Sequence, residues 1–78
     1  MTIHIPILDL KPNIRKLYLE NKITQLGIDY APNSIMGWCD GSEVEIFNFS
    51  KVCRMDNRWS GYEIHQNKTE IIIEIKNL

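Results

Sequence analysis

The sequence predicts an α+β fold, in which an N-terminal strand and one helix pack on an antiparallel β-meander of about four strands. Three observations carry this reading. Ile3, Ile5 and Ile7 alternate with Thr2, His4 and Pro6, a proline-led stretch from Lys11 has helical spacing, and two β-rich runs are joined by Asp40-Gly41. The alternative arrangement is a small SH3-like barrel built from the strands after Ser34, with the N-terminal strand and helix appended.

The alternation at the N-terminus is the period-two pattern of a strand buried on one face. It predicts a strand over Thr2–Leu8. Pro6 has no N–H for a ladder, which places this strand at a sheet edge or with that N–H side facing out.

Pro12 suits a first helical turn, with Asp9 upstream as a cap or a favourable charge at the dipole, and Ile14, Leu17, Tyr18 and Asn21 share one helical face. Leu19, Ile23 and Leu26 form a second apolar stripe. Either the helix is buried on two flanks and runs to Gly27, a glycine suited to the left-handed C-terminal position, or it ends near Asn21. The longer helix is the expected one.

Ala31-Pro32-Asn33-Ser34 is a cluster of turn formers that separates the helix from the strands beyond it. Ile35–Cys39 and Glu43–Phe49 then flank Asp40-Gly41-Ser42, and Asp-Gly between β-rich runs is a strong hairpin signal. In the second of these strands, strict alternation puts Val44, Ile46 and Asn48 on one face. Glu43, Glu45, Phe47 and Phe49 fall on the other, so the solvent face is expected to start acidic and become aromatic. Residues 51–59 fit either a short strand at Val52-Cys53-Arg54-Met55 or a turn. Tyr62–His65 and Glu70–Lys76, around a polar Gln66–Thr69 loop, form a second hairpin, and the isoleucine run implies a central strand covered on both faces.

At 78 residues the chain has room for one core, so residues 1–78 are read as a single domain. With 44% hydrophobic and 24% charged residues it has the composition of a folded protein. Nine basic against ten acidic side chains leave no global field that would steer it to nucleic acid or anionic lipid. The apolar N-terminal run lacks a positive flank and a cleavage site and ends at Asp9, and no stretch approaches the length of a membrane span. A cytoplasmic, intracellular location without membrane association is expected. On that footing Asn48-Phe49-Ser50 and Asn67-Lys68-Thr69 are chance matches to the glycosylation pattern.

Cofactor, metal and catalytic sites are not expected. Cys39 and Cys53 read as small buried hydrophobes in a reducing compartment. A zinc site would have to draw on Cys39, Cys53, His4 and His65, four singletons without the close ligand pairs that mark such sites. A Cys–His nucleophile pair can be composed from almost any chain with these residues, and the carboxylates Asp40, Glu43 and Glu45 sit around a turn where charge is ordinary surface. There is no Gly-rich phosphate loop, no G-x-S-x-G and no H-E-x-x-H.

What remains is binding. Arg54, Arg58 and Trp59 combine the residue types enriched at protein hot spots, and the Asp40, Glu43 and Glu45 hairpin lies close by in sequence with opposite charge. Opposed patches suit oriented recognition of a protein more than generic attachment to a polyanion. The expected function is therefore a non-enzymatic protein-binding module that blocks or bridges a larger protein or nucleoprotein complex. In size and composition, though not in any motif, the chain resembles the small accessory inhibitors of phages and mobile elements, anti-CRISPR proteins among them. The alternative is a nucleic-acid binder using the basic segments 11–22 and 51–58. A third class, a small hydrolase or redox protein using Cys53, requires a reactive thiol of depressed pKa. Strand-rich ends also allow edge pairing into a homodimer.

Overall fold

The structure, a computed structural model, describes residues 2–30, 32–50 and 61–76. It contains β1 (Thr2–Pro6), a 3-10 turn (Ile7–Asp9), α1 (Pro12–Leu19), β2 (Thr24–Asp29), β3 (Ser34–Cys39), β4 (Ser42–Asn48), β5 (Tyr62–Gln66) and β6 (Glu70–Ile75). The strands form two antiparallel three-stranded sheets, ordered β1-β6-β5 (sheet A) and β2-β3-β4 (sheet B). This is an α+β fold with an N-terminal strand and a β-meander. Among the described residues the strands after Ser34 divide between the two sheets instead of closing on one another, so the barrel arrangement is not formed. The segment expected as either a strand or a turn, 51–59, lies outside the described residues.

Sheet A follows from alternation. Ile3 and Ile5 point inward from β1, Ile71, Ile73 and Ile75 point inward from β6, and the register pairs Ile3 with Ile73 and Ile5 with Ile71. Pro6 is the last residue of the edge strand, where its missing N–H costs no ladder bond. The isoleucine strand is central, as its composition implies, but only one face is fully covered. Glu70, Ile72 and Glu74 make a half-buried outer face, because two carboxylates in that phase need access to water.

The helix is shorter than the longer reading and stops at Leu19. The reason is a C-terminal motif centred on Asn21, which takes the left-handed conformation (φ 59°). The Asn21 N–H donates to the Tyr18 carbonyl and the Lys22 N–H to the Leu17 carbonyl, both at 3.0 Å, which satisfies carbonyls that would otherwise lack partners. At the other end Lys11 is the capping residue, with no side-chain bond to the helix, and Asp9 belongs to the preceding 3-10 turn. Ile14 and Tyr18, four residues apart, are the buried stripe. The second stripe is not one helical face: Leu19 ends α1 exposed, Ile23 is buried just before β2, and Leu26 is a half-buried residue of β2. Gly27 is a strand residue paired with Met36.

Two bulges set the phase of sheet B. Between Thr24 and Gly27, β2 carries one residue more than β3, and Gln25 adopts φ 55° there. Between Glu45 and Phe47, Ile46 is the extra residue against Ile35 and Met36. An inserted residue reverses the alternation beyond it. Glu43 and Glu45 therefore stay outside, but Phe47 is half-buried and Phe49 fully buried, their rings meeting edge to face at 5.4 Å. The expected aromatic end of the solvent face is turned into the core.

Both sheets, α1 and the 3-10 turn contribute to one hydrophobic cluster, with Phe49, Ile35, Ile71 and Ile73 fully enclosed. Polar ties connect the layers. The Tyr18 hydroxyl donates to the Asn67 carbonyl at 2.9 Å, and the Ile7 N–H donates to the Thr69 carbonyl at 2.9 Å. The Asn67 side-chain oxygen in turn accepts from the N–H groups of Thr69 and Glu70, which shapes the β5–β6 loop.

Candidate functional site

The β3–β4 hairpin is closed by Asp40 and Gly41 alone, since Cys39 pairs with Ser42. Both turn residues are left-handed (φ 52° and 79°), the conformation that matches the twist of the flanking strands and that Asp-Gly adopts readily. The turn fixes the register, and the register fixes the face. Ile35, Gly37 and Cys39 point inward and are buried, so Met36 and Trp38 point outward. Trp38 is 41% exposed and stands between Glu43 on β4 and Thr24 on β2, while Met36 stands between Glu45 and Gly27.

Glu45 is held in place from below. Its Oε2 accepts the Ser34 hydroxyl proton at 2.7 Å, Ser34 is fully buried, and the Ser34 oxygen accepts from the Asn48 amide at 3.1 Å. The Asn48 amide also donates to the Pro32 carbonyl at 3.0 Å. Asp40 and Glu43 are exposed at the hairpin end, with the buried Cys39 thiol 3.9 Å from Asp40 Oδ2.

From Ile23 to Ser50 the chain has no Lys, Arg or His, while Asp29, Asp40, Glu43 and Glu45 all fall within it. Among the described residues, sheet B therefore presents an indole and a thioether among carboxylates, with no basic side chain on β2, β3 or β4. The described basic residues lie elsewhere: Lys11 at the cap of α1, Arg15 and Lys16 on it, Lys22 beside Glu20 at 3.6 Å, and Lys68 and Lys76 on the β5–β6 unit.

Of the residues that the sequence marks as candidates, Asp40, Glu43 and Glu45 are brought together on this hairpin. Arg54, Arg58, Trp59 and Cys53 lie outside the described residues. Trp38 and Met36 are missing from those candidates, although a signal for them exists. Once Asp40-Gly41 is a two-residue turn, Trp38 must sit across from Glu43 on the same face. The set His4, His65, Cys39 and Cys53 is not assembled among the described residues: both histidines lie on the outer face of sheet A, each in register with Ile72, and Cys39 faces the core from sheet B.

A cleft of about 400 Å³ lies between the end of α1 and the β5–β6 loop, lined by Tyr18, Asn21, Ile23, Thr24, Gln66, Asn67 and Lys68. Burial pushes the Tyr18 phenol above its usual pKa, and its proton is committed to the Asn67 carbonyl. No protein-family model, curated protein or solved structure matches the chain. Among the described residues no helix is long and apolar enough to cross a membrane.

Proposed function

We propose that this chain is a small non-enzymatic protein-binding module that blocks a larger protein or nucleoprotein complex, in the manner of phage and mobile-element inhibitors of the anti-CRISPR kind. The observation that supports this best is the exposed Trp38 set directly opposite Glu43 on a sheet whose strands carry carboxylates and no basic residue. Tryptophan is the residue most enriched at protein hot spots, and a flanking acidic rim selects a partner surface of positive charge. The tight turn and the buried Ser34 support under Glu45 hold the face in one shape, which lowers the entropy cost of docking. Such a face repels nucleic-acid phosphates, so the partner it suits is a basic protein surface.

The test is an affinity capture from host lysate, with and without nuclease, using the wild type beside Trp38→Ala and Glu43→Lys. A stoichiometric protein retained after nuclease by the wild type and lost from both variants, with circular dichroism unchanged, is the expected result. Retention by both variants removes the hairpin face from the reading. Recovery of nuclease-sensitive material alone makes segments 11–22 and 51–58 the binding surface and a nucleic acid the ligand.

A further inference from the structure

The outer face of sheet A carries a cluster that the hairpin face does not use. β5 alternates so that Glu63 and His65 point to the same side, and the register sets Glu74 of β6 directly opposite Glu63. His65 Nε2 lies 3.3 Å from Glu63 Oε2 and 3.8 Å from Glu74 Oε2, and the donor atoms of the three residues all lie within 4.8 Å of one another. We propose that Glu63, His65 and Glu74 form a binding site for a divalent transition metal ion of the zinc class, bridging β5 and β6.

Ligands bound about 2.0–2.2 Å from a common tetrahedral ion stand about 3.4 Å apart. His65 and Glu63 are close to that separation at 3.3 Å, and Glu74, at 3.8 Å from His65, must close in through rotation of its exposed side chain. The chemistry of the set is selective. One imidazole with two carboxylates suits Zn²⁺ or Co²⁺, whereas Mg²⁺ and Ca²⁺ favour oxygen donors alone.

The electrostatics point the same way. Two glutamates facing each other across adjacent strands repel, and a sheet tolerates such a pair when a cation lies between them. Lys76 supplies part of that charge, its Nζ 3.4 Å from Glu63 and 3.8 Å from Glu74. The ammonium and a metal ion compete for the same oxygens, so an ion that binds here displaces Lys76. His4, whose Nδ1 lies 2.7 Å from Glu70 on the same face, is a paired imidazole with only one carboxylate and serves as an internal control.

The test is a titration of the full chain with Zn²⁺, followed by calorimetry and by NMR of the histidine ring nitrogens. Saturation at one equivalent, a shift of the His65 Nε2 resonance and an unmoved His4 are expected, with a thermal midpoint that rises with zinc concentration. His65→Ala and Glu74→Gln weaken binding at least about tenfold, while Lys76→Met tightens it by removing the competitor. These side chains are about half exposed, so the variants keep the fold, which circular dichroism verifies. An unmoved His65 ring, or wild-type zinc affinity in His65→Ala, overturns the site.

Discussion

A methyl group placed on Gly37 would stand 2.7 Å from the Cγ2 of Ile23 and 3.0 Å from a methyl of Leu26. The β2 bulge causes this, because the extra residue lets Ile23 and Leu26 both press on one position of β3. Gly37 is therefore needed for space and not for backbone freedom. Gly37→Ala should lose about 1–3 kcal/mol by overpacking, read as a lower urea midpoint. In the Ile23→Ala background the same change should cost less, and a double-mutant cycle showing no coupling would reject the contact as the cause.

The helix end offers a test of the Asn21 motif. At φ 59° asparagine is tolerated and glycine is free of strain, while alanine is not. Asn21→Gly should be neutral or slightly stabilising, and Asn21→Ala should cost about 1 kcal/mol, measured by chemical denaturation. A helix running on to Gly27 would reverse this order, since alanine is the better residue inside a helix.

Tyr18 links α1 to the β5–β6 loop through one hydroxyl. Tyr18→Phe should cost about 0.5–1.5 kcal/mol at neutral pH, near the lower end because Asn67 is exposed and its carbonyl can turn to water. Burial raises the phenol pKa in the folded state above the unfolded value near 10, so the folded chain holds this proton more tightly. The associated stability is complete below pH about 10 and is lost as pH rises through the folded pKa. Wild type should thus show a steeper alkaline loss of stability than Tyr18→Phe, and identical alkaline slopes would refute the assignment.

Cys39 faces the core, 9% exposed. In a Cys53→Ser background its alkylation in native buffer should be far slower than in urea, at a rate set by structural opening. Fast labelling of the folded protein would mean that this end of β3 is not packed as described.

For the hairpin face, charge reversal separates recognition from stability. Glu43→Lys should leave the denaturation midpoint within about 0.5 kcal/mol of wild type, because the residue is exposed, yet slow association with a basic partner. Wild-type association should weaken as salt rises, and a salt-independent rate would remove the electrostatic part of the proposal.

Local chemistry made much of this fold legible. Alternation at Ile3 and Ile5 gives a strand, although it ends at Pro6 and not Leu8 because Ile7–Asp9 turn into a 3-10 helix; Asp40-Gly41 gives a tight hairpin, and the isoleucine run gives a central strand, since each rests on side-chain period or turn conformation within a few residues. Three features were decided only by the tertiary structure. The helix stops at Leu19 and does not run on to Gly27, because left-handed Asn21 closes its last carbonyls and the chain then enters β2 at Thr24. Phe47 and Phe49 face inward because a bulge at Ile46, which depends on the partner strand, reverses the alternation. Glu63 and Glu74 meet because β5 and β6 pair in one register, and composition cannot show which of the chain's ten acidic residues will face each other. A period read along one strand says which side a residue takes, and only pairing between strands says what stands beside it.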